Sequence, residues 1–373
     1  MEATRPHLDR AHGDIETGFA DVLQPRIEAQ VQHAAPPMWL TKWESKRPIL
    51  LTECVAEMIG VFLYTFFGLG ASAAFFLSTV AKEAGFGSLL TIGFAYGGGI
   101  VFALVAVCST SGGHLSPRLI IHGWPSDSAS YTIAFAVFKG FPWRKVPFYI
   151  LSQILGAFLG ALAVYGVYKQ EFDQAAAGFK ALGPTGEAAI FTAQGPAGVL
   201  GLFPGTTQTT NYLVAVEFLA TLILSMIVFA VLDASNFLSS LASAPFIIGF
   251  AFSVVIWCFA LDSISLNSAR DLGGRMACSV AFGSKCWTAW PKYTAIAALV
   301  NIPGTLCGCA IQVLLLSDSA RKLLLHNVPP KMAEVARSHN ERNGHSEYDA
   351  TSMRVLTRDT QNIPVQYSNG KMD

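Results

Sequence analysis

The stretch SISLNSARDLGGR, Ser263 to Arg275, lies among hydrophobic spans yet cannot itself be an apolar helix. A second stretch, SGGHLSPR from Ser111 to Arg118, has the same character. Each sets a small polar residue, Asn267 or Ser116, beside Ser or Pro, where a helix can begin. Each then runs into about ten residues, enough for half a bilayer crossing. Two half-helices meeting end to end at the membrane midplane would make a pore lined by their N-termini.

The rest of the chain supplies the membrane. Of 373 residues, 52% are hydrophobic, 12% aromatic and only 13% charged, and mean hydropathy is +0.44. A soluble domain carries about a quarter charged residues, so this is a membrane composition. Net charge is zero, which gives no footing for nucleic acid. The seven cysteines show no metal-finger or redox spacing. Cys278 and Cys286 are near enough in sequence to pair, but most lie in apolar runs, where Cys behaves as a small hydrophobe.

Six runs pass the criterion of about 20 residues for a spanning helix: Leu51 to Phe76, Ser88 to Cys108, Val146 to Tyr168, Tyr212 to Leu232, Ser243 to Leu261 and Tyr293 to Leu316. Residues 1–48 read as a polar N-terminal tail with no signal peptide, and 317–373 as a polar, disordered one. Six spans put both tails on one side. Lys42, Lys46, Arg47, Lys139, Arg144, Lys145, Arg321 and Lys322 flank spans there, against Lys82, Lys169, Lys180, Lys285 and Lys292 opposite. The excess predicts cytoplasmic tails. The connection from Lys169 to Asn211 then reads as an external loop, rich in Gly, Pro and Thr.

The channel region, 49–316, contains an internal repeat, about 49–168 and 212–316. Gln153-x-x-Gly156-x-x-x-Gly160 in the third span matches Asn301-x-x-Gly304-x-x-x-Gly308 in the sixth, and Glu57 in the first matches Glu217 in the fourth. Three spans per half is an odd number, so the second half runs inverted. The expected fold is all-α, with six membrane helices and two re-entrant half-helices.

Each candidate residue has a job in that arrangement. Asn267 and Ser116 would present a carboxamide and a hydroxyl at the pore centre, where helix N-termini add partial positive charge. Such a constriction orients a neutral oxygen and opposes cations and protons. Arg270 reads as an outer filter donor, or as the partner of Asp271 or Asp262. Glu57 and Glu217 accept hydrogen bonds from re-entrant backbone, or relay protons in a coupled transporter; the lack of Lys or Arg inside the spans favours the first. Gln153 and Asn301 read as helix-to-loop ties, Asp271 as structural, and the Gly-x-x-x-Gly faces as close helix contacts.

From Leu51 to Leu316 the chain resembles the major intrinsic protein family, the aquaporins, and within it the glycerol-conducting branch. The resemblance rests on AEMIGVFLYTFFGLG (Ala56 to Gly70), SGGHLSPR, VPFYILSQILGAF (Val146 to Phe158) and LNSARDLGGR (Leu266 to Arg275). It implies a homotetramer with one pore per subunit. Where the family has Asn-Pro-Ala twice, this chain has Ser116-Pro117-Arg118 and Asn267-Ser268-Ala269. Arg118 replaces a methyl group that packs against the opposite motif. Either the smaller Ser268 makes room for its stem, or the side chain reaches back to the cytoplasmic mouth. The resemblance places Tyr96 and Ile264 in the selectivity filter with Arg270, and assigns the fifth-span position to Ile256, with Val255 and Trp257 as neighbours in doubt. The resulting expectation is a passive channel in the plasma membrane, working in the lipid bilayer on glycerol or similar small uncharged solutes and some water, without cofactor or metal. A closed or retuned pore, or a proton-coupled transporter, are the alternatives. No nucleophile, base or metal-ligand set suggests an enzyme.

Overall fold

A computed structural model of the chain describes residues 36–82, 87–111, 128–233, 236, 238–240, 242–260 and 263–317. All regular structure among the described residues is helical. The helix Met38–Lys46 belongs to a separate N-terminal unit, and Met38, Trp39 and Trp43 are exposed on it. The tail predicted only as polar therefore carries a short helix.

The membrane unit contains α1 (Ile49–Ala81), α2 (Leu89–Ser111), α3 (Ala129–Phe138), α4 (Val146–Val167), α5 (Thr210–Val231), α6 (Ala244–Phe259), α7 (Ser268–Phe282), α8 (Pro291–Leu299) and α9 (Asn301–Ile311). Five described stretches are long and apolar enough to cross a bilayer: α1, most of α2, α4, α5, and α8 with α9 and the π turn after it, Pro291–Leu316. The remaining expected span, Ser243 to Leu261, is shorter in the structure. Its helix α6 has 16 residues, about 24 Å of rise, because the chain leaves helical geometry at Ala260 and continues towards α7. The helix of the last span is interrupted at Val300, between α8 and α9. Pro303 lacks the N–H needed to continue the ladder across that point.

Glycines decide how closely these helices pack. A methyl group on Gly156 would lie 2.2 Å from the Met58 carbonyl oxygen, and one on Gly160 2.9 Å from that of Phe62. In the other half, a methyl on Gly304 would lie 2.7 Å from the Phe218 carbonyl oxygen and one on Gly308 2.1 Å from that of Leu222. Met58 and Phe62 stand one and five residues after Glu57, as Phe218 and Leu222 do after Glu217. The two halves thus repeat the same backbone contact, α4 on α1 and α9 on α5. Between the halves, α2 meets α6 where Gly97 and Gly249 face each other's carbonyls, and Ser253 Oγ donates to the Gly93 carbonyl at 2.8 Å.

Adding the methyl group at Gly308 is expected to cost about 1–3 kcal/mol by overpacking. Gly166, with nothing within 4 Å of an added methyl, is the control. In detergent, Gly308→Ala is expected to lower the midpoint of thermal unfolding and the monodisperse fraction, with Gly166→Ala near the parent; equal behaviour of the two would contradict this packing.

The short helices cross over. The ten-residue α3 packs on α9 of the other half, and α7 packs on α4 of the first. The first half-helix starts later than the sequence reading placed it. Ser128, not Ser116, stands at its N-terminus; Ser116, Pro117 and Arg118 lie outside the described residues.

The connection from Lys169 is also more ordered than a plain loop. It holds the helices Lys169–Ala181, Pro184–Ala189 and Ala197–Leu200, and buries Phe172, Ile190 and Phe203 in one cluster with Cys278 and Cys286. Those two cysteines are bonded as a disulfide, whereas the sequence reading favoured packing roles. The turn at Gly283, with φ +89, folds the chain back after α7 and brings the two sulfurs together. Closing so short a loop restricts the unfolded chain by about 2–3 kcal/mol in the chain-entropy model. Cys286→Ser, or reduction of the parent, is expected to lower the unfolding midpoint; no shift would mean that the bridge does not form in solution. On the same surface Lys285 donates to Glu187 at 2.8 Å, which holds that carboxyl below the usual carboxylate range.

Candidate functional site: two cavities at the half-helices

The loop into α7 is built on Glu217. Its Oε1 accepts from the Ser265 N–H at 2.7 Å and from the Tyr293 hydroxyl at 3.2 Å, and its Oε2 accepts from the Leu266 N–H at 3.2 Å. Leu266 needs the support. Its φ of +56 is the left-handed conformation that a branched side chain rarely adopts, and such residues persist where surroundings hold them. Ser265 Oγ donates to the Ala297 carbonyl at 2.9 Å and accepts from Asn301 Nδ2 at 3.3 Å. The turn so fixed presents Asn267, whose side-chain oxygen accepts from the N–H groups of Ala269 (2.9 Å) and Arg270 (3.3 Å).

In the first half, Gln153 Nε2 donates to Glu57 Oε2 at 2.8 Å and to Thr132 Oγ1 on α3 at 3.0 Å. The acid and the amide thus meet directly and reach the half-helix. The stretch just before Ser128, matching Ser265 and Leu266, lies outside the described residues.

Arg270 is 3% exposed. Its Nε and Nη2 both donate to the Tyr96 hydroxyl, at 3.2 and 2.9 Å, and Tyr96 reaches it by lying against Gly68, which has no side chain to block the ring. Asp271 does not pair with Arg270. It accepts from Arg275 Nε at 2.8 Å, while Arg275 also donates to the carbonyls of Cys286 (3.0 Å) and Leu202 (2.6 Å). Arg275 is fully buried, and each of its three nitrogens donates, tying α7 to the segments holding Leu202 and Cys286. With Asp271 so occupied, the charge of Arg270 faces a cavity. Asp262, the other partner considered, lies outside the described residues.

That outer cavity has a volume of about 330 Å³ and is lined by Tyr96, Ile256, Ile264, Arg270, Ser72, Thr79 and Gln194 among others. Arg270 is the one charged residue among the described lining. Ile256 borders it, whereas Trp257 turns its indole towards Gly93 and Phe94. An inner cavity of about 70 Å³ is lined by Ser128, Asn267, Tyr131, Ile100, Leu224 and Ile248 among others. Ser128 and Asn267, from opposite half-helices, therefore border one space. The place expected for Ser116 opposite Asn267 is held by Ser128. The hydroxyls of Ser128 and Tyr131 are buried without a hydrogen-bond partner among the described residues. Among those residues there is also no group of His, Cys, Asp and Glu arranged to hold a metal.

Sequence reasoning missed Ser128, Tyr131 and Arg275. A signal existed for the first two: Ser128 precedes an apolar run, ASYTIAFAVF, too short to span, which is how a capped half-helix reads. Arg275 stands four residues after Asp271, the spacing of a helical ion pair.

Two short helices inside an inverted helical repeat, with cavities beside them, suit an integral multi-pass membrane channel. The model of the Major intrinsic protein family matches residues 44–315. The chain belongs to that family, and is accordingly a passive channel for water or small solutes and not an enzyme. It is 38% identical to Aquaporin-3 of Laccaria bicolor over 299 residues, 80% of this chain and 85% of that one. It is 28% identical to Aquaglyceroporin-2 of Rhizophagus irregularis over 286 residues, covering 76% and 83%. Among solved structures, the aquaglyceroporin from Plasmodium falciparum shares the fold, with a TM-score of 0.57 at 20% identity, over 72% of this chain and 97% of that one.

Proposed function

We propose that the chain conducts glycerol or similar small uncharged solutes, with some water, by way of the two cavities described. The observation that carries this is the makeup of the outer cavity: Arg270, the one charged group among its described lining, is held by Tyr96 and flanked by Ile256 and Ile264. A polyol has a hydroxyl edge and a carbon edge, and a wall with one donor face and one aliphatic face suits both. The fixed positive charge opposes cations. At the inner cavity Ser128 and Asn267 supply the central donors, and Ser268 and Ala269 begin α7 behind Asn267. Glu57, Glu217, Gln153 and Asp271 hold the helices and do not touch solute.

A second reading is a closed or retuned pore. It is favoured by one feature: the cavities are distinct, and the bulky side chains of Tyr64, Phe252 and Leu266 line both. The proposal further places both termini in the cytoplasm and the protein in the plasma membrane as a homotetramer. The disulfide supports the sidedness, since such bonds persist outside the reducing cytosol. The clustered cations near Lys145 favour the same orientation.

Glycerol influx into proteoliposomes, with and without an imposed pH gradient, tests the mechanism. Equal rates are expected of a passive pore. Acceleration by an inward proton gradient would show coupled transport and overturn the assignment of Glu57 and Glu217 as structural.

A further inference from the structure

The helix Met38–Lys46 has nine residues and none of them is buried. A helix of that length is marginal in water on propensity alone, and helices in proteins owe most of their stability to a covered apolar face. Trp39 and Trp43, four residues apart, share one side of it with Leu40. Trp39 is 69% exposed and Trp43 63%. Lys42 and Lys46 each follow a tryptophan by three residues, which sets them along the edge of that side. Thr41 and Ser45 lie opposite, their hydroxyls donating to the Met38 and Lys42 carbonyls of the same helix, each at 3.0 Å.

The place of this helix in the chain identifies what covers the tryptophans. Only Arg47 and Pro48 stand between Lys46 and α1, which is long and apolar enough to cross a bilayer. That link reaches about 10 Å at most. The span is apolar from its start, with Ile49 and Leu51 exposed as lipid-facing residues are. Arg47 is extended, with φ −67 and ψ 131, as a residue before proline tends to be, so the helix ends there and does not run on into α1. It is thereby tethered to the boundary of water and lipid.

The chemistry of the face suits that boundary. An indole has an apolar body and a polar N–H, and a lysine can lay its stem along apolar surface while its ammonium stays among headgroups. Lysine is depleted from contacts between proteins, so a tryptophan face edged with lysines fits a protein partner poorly. We propose that Met38–Lys46 lies on the bilayer surface as an interfacial anchor, with Trp39, Leu40 and Trp43 set into the lipid and Lys42 and Lys46 on headgroup phosphates. The anchor is independent of the solute the channel passes.

The test uses the full chain in vesicles of phosphatidylcholine and phosphatidylserine, read by tryptophan fluorescence. The double variant Trp39→Phe/Trp43→Phe keeps every other tryptophan, so subtracting its emission from the parent's gives the emission of these two indoles. That difference is expected to lose most of its intensity to lipids brominated near the headgroup end of the acyl chains, and little to aqueous acrylamide. Lys42→Glu/Lys46→Glu is expected to reverse the order, because acids are repelled by phosphatidylserine and leave the tryptophans to water. Quenching of the parent's difference emission by acrylamide and not by brominated lipid would put the helix in water and overturn the proposal. Protection from both quenchers would show a protein, or a second copy of the chain, on this face and overturn it equally. Lipid quenching unchanged by the charge reversal would remove the lysines from the contact and overturn the assignment as stated.

Discussion

Arg270→Ala is expected to give a channel that leaks cations. Among the described residues Arg270 is the one charged group lining the outer cavity, with Asp271 committed to Arg275. Its removal takes away the fixed positive potential at the filter, and leaves the Tyr96 hydroxyl without its two donated hydrogen bonds. In a narrow, poorly hydrated passage each 1.4 kcal/mol of lost barrier is about tenfold in rate. A rise of at least about tenfold in proton or sodium leak across proteoliposomes is therefore expected. Tyr96→Phe keeps the charge and removes only the hydroxyl, so its leak is expected to stay near the parent's. An unchanged leak in Arg270→Ala would remove Arg270 from the filter.

Glu217→Ala is expected to be the most damaging single change to folding. The carboxylate accepts from three buried donors, the N–H groups of Ser265 and Leu266 and the hydroxyl of Tyr293. Each orphaned buried donor costs about 1–3 kcal/mol, and the left-handed turn at Leu266 loses what holds it. Together these are comparable with the whole stability of an ordinary domain, about 5–15 kcal/mol. The expected outcome is little or no monodisperse protein, with Glu217→Gln intermediate because an amide oxygen still accepts. A well-folded Glu217→Ala protein that keeps the parent's solute selectivity would show that the loop stands without this carboxylate.

Much of this was legible in the chain because it is written as a repeat. The matched Gln153 and Asn301 motifs, with Glu57 and Glu217 at equivalent places, announce two inverted halves before any coordinates. The structure turns that match into the same glycine-to-carbonyl contacts in each half. Ser263 to Arg275 was legible as a half-helix because Asn267 is a strong cap and the segment is too polar to span.

The first half-helix was harder to place, for a physical reason. Two serines, Ser116 and Ser128, both precede apolar residues, and capping preference alone cannot choose between them. The structure makes the choice: α3 begins after Ser128, and its Thr132 accepts from Gln153. That is a contact between residues far apart in sequence. The disulfide was hidden for a similar reason: spacing permits Cys278 and Cys286 to meet, but the turn at Gly283 and the outer cluster are what bring them together. Tyr64 and Phe252 each sit in an ordinary apolar span, and only packing brings their rings together against both cavities.

The account stands on conduction by way of these cavities, and the measurement that tests it most directly is light-scattering reswelling of proteoliposomes in a glycerol gradient against empty vesicles. Reswelling faster than in empty vesicles by about tenfold or more is the predicted result. Glycerol entry at the empty-vesicle rate, from protein that is monodisperse and inserted, would contradict it.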